Sequence, residues 1–120
     1  MWKQTPVGNV TSPLYGVSAA SMNDVWAVGA GGTILRWNGT QWSQDDQKKT
    51  TATLRSVWAA GPTDVWVVGD SATLLHWDGR AWAAVQIPGG SSISYRSIHG
   101  ADSKGFWIVG EGGTIIKYTR

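Results

Sequence analysis

Catalysis by side chains needs nucleophiles, acid–base pairs or metal ligands gathered at short range, and this chain is sparing with all three. It has two histidines, His76 and His99, one glutamate, Glu111, and no cysteine. Without thiols there is no disulfide framework, thiolate metal site or cysteine nucleophile. The two histidines have no metal-ligand spacing around them. The expectation is a non-catalytic chain with no cofactor and no bound metal.

What the sequence does offer is recognition chemistry at regular spacing. Arg36, His76 and Lys117 lie 40 and 41 residues apart and are all cationic or able to become so. Asp70 and Glu111 are separated by 41 residues, as are Trp58 and His99, while Trp37 and Trp77 are separated by 40. Donors, carboxylates and indole faces in such a set suit a ligand rich in hydroxyls, because an exposed indole stacks on the apolar face of a sugar ring. Each group also has a plainer reading. Long cations on a strand edge solvate it, and tryptophans beside a hairpin pack under the turn.

The spacing implies a repeat. Trp2, Trp42 and Trp82 recur every 40 residues, each followed by a related core: Asp24-Val25-Trp26-Ala27-Val28-Gly29, Asp64-Val65-Trp66-Val67-Val68-Gly69 and Gly105-Phe106-Trp107-Ile108-Val109-Gly110. Thr33 to Trp37, Thr73 to Trp77 and Thr114 to Tyr118 follow, and the third copy has one extra residue before its core. Repeats therefore span 2–41, 42–81 and 82–120 of a single domain, 1–120. In the middle copy, strands are expected at Leu54 to Ala60, Val65 to Gly69, Thr73 to Trp77 and from Trp82. The second is apolar on both sides, as a strand covered on both faces must be. Asn38-Gly39 and Asp78-Gly79 suggest two-residue type I′ hairpins, which would set Leu35 opposite Trp42 with Trp37 diagonal. Trp26, Trp66 and Trp107 are expected between sheets, Trp2, Trp42 and Trp82 on outer strands. Asp24 and Asp64 should stabilise the preceding turn. Gly29-Ala30-Gly31-Gly32 leads into a strand, not a helix, so it is a hairpin loop and not an anion cradle.

Four strands per ~40-residue repeat and no 3.6-residue periodicity indicate an all-β fold, a β-propeller with three four-stranded blades per chain. The chain opens on a fourth strand and ends on a third. Three blades are too few to close a ring, so homodimerisation to six blades is expected, with the N-terminal strand swapped and Trp2 of one chain beside Tyr118 of the other.

The run from Asp24 to Trp42, with Asp64 to Gly69, Leu74 to Trp82 and Gly110 to Ile115, resembles the repeats of BNR/Asp-box propellers, and among them photosystem II assembly-factor-like ones. Here Asp78-Gly79 and Asn38-Gly39 are adjacent, where the usual box has one residue between Asp and Gly. The resemblance implies a protein-interaction or assembly scaffold and transfers no active site. A sialidase, an enzyme sharing the box, needs an arginine cluster with a tyrosine–glutamate pair, whereas the five arginines here are spread over copies and loops. Trp77-Asp78-Gly79-Arg80-Ala81-Trp82 is also similar to hairpins of small fucose-binding propeller lectins, which implies oligomeric closure and a sugar ligand.

Three functional readings follow. A lectin-like, carbohydrate-binding propeller leads, with Trp37, Trp77, Trp58, His99, Arg36, His76, Lys117, Asp70 and Glu111 as candidate ligand contacts. A protein-interaction scaffold is the alternative, and an excised or engineered fragment with no ligand of its own is the third. The expected partners are a second copy and glycans. A net charge of +2 with scattered Lys and Arg gives no footprint for nucleic acid. No apolar run is long enough for a membrane span, and the N-terminus lacks a signal-peptide pattern.

Overall fold

The computed structural model describes residues 1–88, 92–102 and 104–120. It contains three antiparallel sheets laid side by side. The first runs β1 (Leu14–Ser21), β2 (Asp24–Gly29), β3 (Ile34–Trp37) and β4 (Trp42–Gln44). The second runs β5 (Leu54–Gly61), β6 (Asp64–Gly69), β7 (Thr73–Trp77) and β8 (Trp82–Ala84). The third has three strands among the described residues, β9 (Tyr95–Asp102), β10 (Gly105–Gly110) and β11 (Ile115–Thr119). Strand order follows chain order, so every connection within a sheet is a hairpin. The extra residue of the third copy falls in 83–94, of which 89–91 lie outside the described residues.

Each sheet is one blade, and apolar side chains fill the spaces between blades. Trp26, Val28 and Ile34 of the first meet Val57, Val65, Val67, Trp77 and Trp82 of the second. Trp58, Trp66, Val68 and Leu74 of the second meet Tyr95, Ile98, Phe106 and Ile108 of the third. The middle blade is thus covered on both faces, which is why β6 reads Asp-Val-Trp-Val-Val-Gly with no polar alternation. Inner strands are tied across blades as well: the Ala59 N–H donates to Ser18 Oγ at 3.0 Å and the Ile98 N–H to Ser56 Oγ at 3.3 Å. Gly100 is required because a Cβ there would stand 2.1 Å from the Trp58 ring.

Between second and third strands each blade makes the same tight loop. In the first and third it is a single 3₁₀ turn, Ala30–Gly32 and Glu111–Gly113, each with two glycines at positive φ. In the second blade Ser71 and Ala72 hold that conformation, at φ of 58° and 57°. The loop from Gly29 to Gly32 is a hairpin connection, as its sequence context requires.

The hairpin between third and fourth strands departs from expectation. Trp37 lies directly opposite Trp42, and Trp77 opposite Trp82. Leu35 faces Gln44 and not Trp42. The loop holds four residues instead of two. Asn38 Oδ1 accepts from the Thr40 and Gln41 N–H groups, Asp78 Oδ1 does the same for Arg80 and Ala81, and only the glycines take positive φ. A side chain that can cap its own turn favours this longer loop over the type I′ form.

Two more readings change. Trp2, expected on an outer strand, belongs to no strand and is fully exposed. Asp24 and Asp64 do not cap a turn; they reach across to the third strand.

Candidate functional site: an open strand edge and the cavity beside it

The cationic positions expected to face a ligand are already engaged, each against the indole on the neighbouring strand of its own blade. Arg36 lies over the Trp26 ring at 4.6 Å while its Nε donates to Asp24 Oδ1 at 3.0 Å. His76 stacks on Trp66 at 4.0 Å and its Nε2 is 2.8 Å from Asp64 Oδ1. Lys117 lies over Trp107 at 5.4 Å. In the first two blades a basic side chain, an indole and a carboxylate form one repeated packing unit. The third blade has Gly105 in place of the carboxylate, and Arg120 from its end turns instead to Asp64, forming an ion pair at 2.6 Å. The Arg120 hydrogen bond, reinforced by His76 and opposed by burial, holds the Asp64 carboxyl below its ordinary range.

Asp70 and Glu111 lie on the loop between second and third strands and pair within their own blades. Arg55 grips Asp70 through two bonds of 3.0 Å and covers the Tyr15 ring. Glu111 accepts from the Ser94 N–H at 3.1 Å and from Arg96 at 3.3 Å. Both carboxyls sit below their usual range, Asp70 through the Arg55 hydrogen bond and Glu111 through the Ser94 N–H first and Arg96 second. Trp58 and Trp77 are each only 8% exposed and packed on other rings, Phe106 for the first, Trp26 and Trp82 for the second. Trp37 packs on Trp42 at 5.7 Å. His99 is exposed beside Trp107, its partner across the strands. Among the described residues no three His, Asp or Glu side chains gather as a metal would need.

A different place emerges when the two junctions between blades are compared. At the first, Trp82 on the fourth strand closes the outer end. Its ring meets Trp26 edge-on at 5.4 Å and Trp77 at 5.6 Å, and its Nε1 donates to Asp45 Oδ2 at 2.8 Å. At the second junction the corresponding walls are present: Trp66 for Trp26, Leu74 for Ile34, Ile116 for Leu75 and Tyr118 for Trp77. These residues, together with Val85, Gln86, Ile87, Pro88, Phe106, Ile108 and Lys117, line a cavity of 230 Å³. Val85 stands where Asp45 does, so the lining is apolar at the point where the first junction binds the indole N–H.

Beside this cavity runs β11. It pairs with β10 on one side, and its other edge carries no strand among the described residues. Ile115 and Tyr118 on it are exposed. A free strand edge offers a row of N–H and C=O groups to any extended segment. The sequence singled out Tyr118 for oligomer closure and missed Trp66, Ile116 and Val85. The available signal was the repeat spacing, which makes Trp66, Ile116 and Val85 the counterparts of Trp26, Leu75 and Asp45.

Comparison with known proteins agrees with this architecture. No protein-family model matches the chain, and no curated protein does. Among solved structures, "YCF48 bound to D1 peptide" superposes with a TM-score of 0.78 at 21% identity, covering 96% of this chain and 39% of that one. YCF48 from Cyanidioschyzon merolae gives 0.77 at 20%, covering 97% and 39%. The blades are those of a β-propeller. At this identity the likeness carries the fold, in keeping with the assembly-factor-like resemblance of the repeat motifs. The chain spans about two fifths of the length of these YCF48 structures. Among the described residues no helix is long and apolar enough to cross a membrane.

Proposed function

We propose that this chain is a non-catalytic, protein-binding propeller module that takes an extended polypeptide strand onto the open edge of β11 and seats one apolar side chain in the adjoining cavity. One observation carries this reading: a strand edge and a cavity lie together, with walls matching those that hold Trp82 one blade earlier. Strand addition draws affinity from main-chain hydrogen bonds and specificity from side-chain pockets, and both are available here. The YCF48 structure solved with a D1 peptide supports it as a propeller of the same fold with a peptide partner.

Carbohydrate binding has less behind it. Two of the indoles expected as ligand contacts, Trp58 and Trp77, have their faces covered, and Arg36, His76, Asp70 and Glu111 are held by neighbours within the protein. Self-association into a six-bladed ring from two chains, with the N-terminal segments exchanged, is one form that the proposed strand addition takes.

The test uses fluorescence polarisation with labelled hexapeptides bearing Trp at one position. The host chain carries Trp2→Ala, so its own N-terminus does not compete. Micromolar binding is expected, lost when the peptide Trp becomes Ala and weakened about tenfold or more by Ile116→Glu, the loss expected for burying an unpaired charge. Glycan-array hits without peptide binding, or indifference to Ile116→Glu in a chain of unchanged circular dichroism, overturn the reading.

A further inference from the structure

We infer that Asn38, in the hairpin loop between β3 and β4, is a modification site at which the fold itself promotes cyclisation to a succinimide and conversion to aspartate or β-linked aspartate. The chain has three asparagines, and only Asn38 precedes a glycine; Asn9 precedes Val10 and Asn23 precedes Asp24. The reaction requires the next residue's amide nitrogen to reach the side-chain carbonyl carbon, and a successor without Cβ leaves that approach open. Asn38 and Thr40 are exposed. Asp78 and Arg80, in the same loop of the middle blade, are exposed too, although that blade has a sheet packed on either side. The exposure is therefore a property of the loop, whichever blade carries it.

Three donors converge on Asn38 Oδ1: the Thr40 N–H at 2.9 Å, the Thr40 hydroxyl at 2.8 Å and the Gln41 N–H at 3.0 Å. In the resting turn they cap the loop. During cyclisation Oδ1 is the atom on which negative charge gathers, and donors already aimed at it from these distances act as an oxyanion hole. The nucleophile is unencumbered, since among the described residues no hydrogen bond holds the Gly39 N–H. Gly39 N gives its proton to hydroxide and bonds to Asn38 Cγ, while the C=O electron pair moves onto Oδ1. The pair then returns, and Nδ2 leaves as ammonia with a proton taken from water. Water opens the resulting ring. Breaking the bond from nitrogen to Cγ gives ordinary aspartate, and breaking the bond to the backbone carbonyl carbon gives aspartate linked through Cγ.

The second blade supplies a comparison within the same molecule. Asp78 Oδ1 accepts the Arg80 and Ala81 N–H groups at 2.8 and 3.0 Å, and Gly79 shares the φ of 102° found at Gly39. Two things differ. Residue 80 is arginine, with no hydroxyl to offer, and the electrophile is a carboxyl group, which must be protonated before a nucleophile displaces its oxygen. The Ala81 and Arg80 N–H groups hold that carboxyl below its ordinary range, so it stays ionised and inert. Asp78 also shows that aspartate of ordinary linkage fits this loop. Linkage through Cγ instead lengthens the main chain by one atom and disturbs the register that sets Trp37 opposite Trp42. Either product adds one negative charge, taking the net charge from +2 to +1.

The experiment ages the folded chain in mildly alkaline buffer beside a synthetic peptide of residues 33–45. Ion exchange follows the charge change, and peptide mapping by mass spectrometry locates it and separates the two linkages. Asn38 is expected to convert about threefold or more faster in the folded chain than in the peptide, while Asn9 and Asn23 stay intact. Thr40→Val removes one of the three donors and leaves the Asn-Gly pair and both N–H groups in place. It should slow the folded chain about three- to tenfold and leave the peptide rate alone, and Thr40→Ser should restore the rate. Circular dichroism confirms that both variants fold, as expected for changes at an exposed position. Conversion slower in the folded chain than in the peptide overturns the inference, because the donors would then lock the side chain instead of activating it. A folded-chain rate indifferent to Thr40→Val overturns it too, as does β-linked aspartate forming at Asp78 as fast as at Asn38.

Discussion

Asp64 shows how much of a residue's role depends on what the fold brings near it. Its Oδ1 accepts from Trp66 Nε1 at 3.0 Å and lies 2.8 Å from His76 Nε2, while Arg120 pairs with the same carboxylate. From sequence, an aspartate ahead of a strand is a turn residue. Two of its three partners are 12 and 56 residues away, and only the strand register and the docking of the third blade on the second bring them close. The carboxyl is held below its ordinary range, chiefly by the Arg120 hydrogen bond. A depressed folded-state value means that its contribution is present above the unfolded pKa of about 3.9 and is lost as pH falls through the lower folded value. Asp64→Asn is expected to cost roughly 1–2 kcal/mol at pH 7, a figure reduced for partial exposure. The gap between wild type and variant should narrow below about pH 4. Urea unfolding at pH 7 and pH 2.5 checks both. Arg36 and Asp24 repeat half of this arrangement, and the repeat spacing alone had already marked Arg36, His76 and Lys117 as equivalent, though not what they touch.

At the scale of the element, most strands were legible because their cause is local. Thr73 to Trp77 and the start at Trp82 match expectation, and β5 and β6 extend the expected spans by a residue. Alternation and Gly/Asx punctuation act over a few residues, so one chain displays them. The hairpin register was not legible. Asn-Gly and Asp-Gly favour a two-residue turn in isolation, but the Asx side chain closes a four-residue loop that puts indole opposite indole. The loop before β7 shows the reverse case. Gly31-Gly32 and Gly112-Gly113 suit their left-handed conformation, whereas Ser71 and Ala72 adopt it with a Cβ, at a cost of about 1 kcal/mol or more each. Replacing Ser71 and Ala72 with glycine should stabilise the chain by about 1 kcal/mol net, after the added freedom of the unfolded state is subtracted. Chemical denaturation of the double variant measures it, and destabilisation would show that the side chains matter more than the backbone.

For the whole molecule, one position carries different weight in different blades. Val57 lies between two sheets, while its equivalent Val17 faces outward. Val57→Ala should cost about 2 kcal/mol, and Val17→Ala should stay within about 0.5 kcal/mol in the protomer. Unfolding measured below the assembly concentration separates the two. Equal costs would mean that the outer face of the first blade is covered even in a single chain. The division into three sheets was legible from the repeat spacing. The cavity was not, since it exists only where side chains from two sheets and the crossover at Val85 converge.

The interchangeability of blade surfaces has a consequence for growth. Whatever a sheet shows to its predecessor matches what every sheet shows to its successor, so length is a free variable in this architecture. A duplicated unit spliced in after Gln44 would meet familiar neighbours on both sides and leave each terminus as it was. A chain built this way can therefore lengthen in whole-blade steps of about 40 residues.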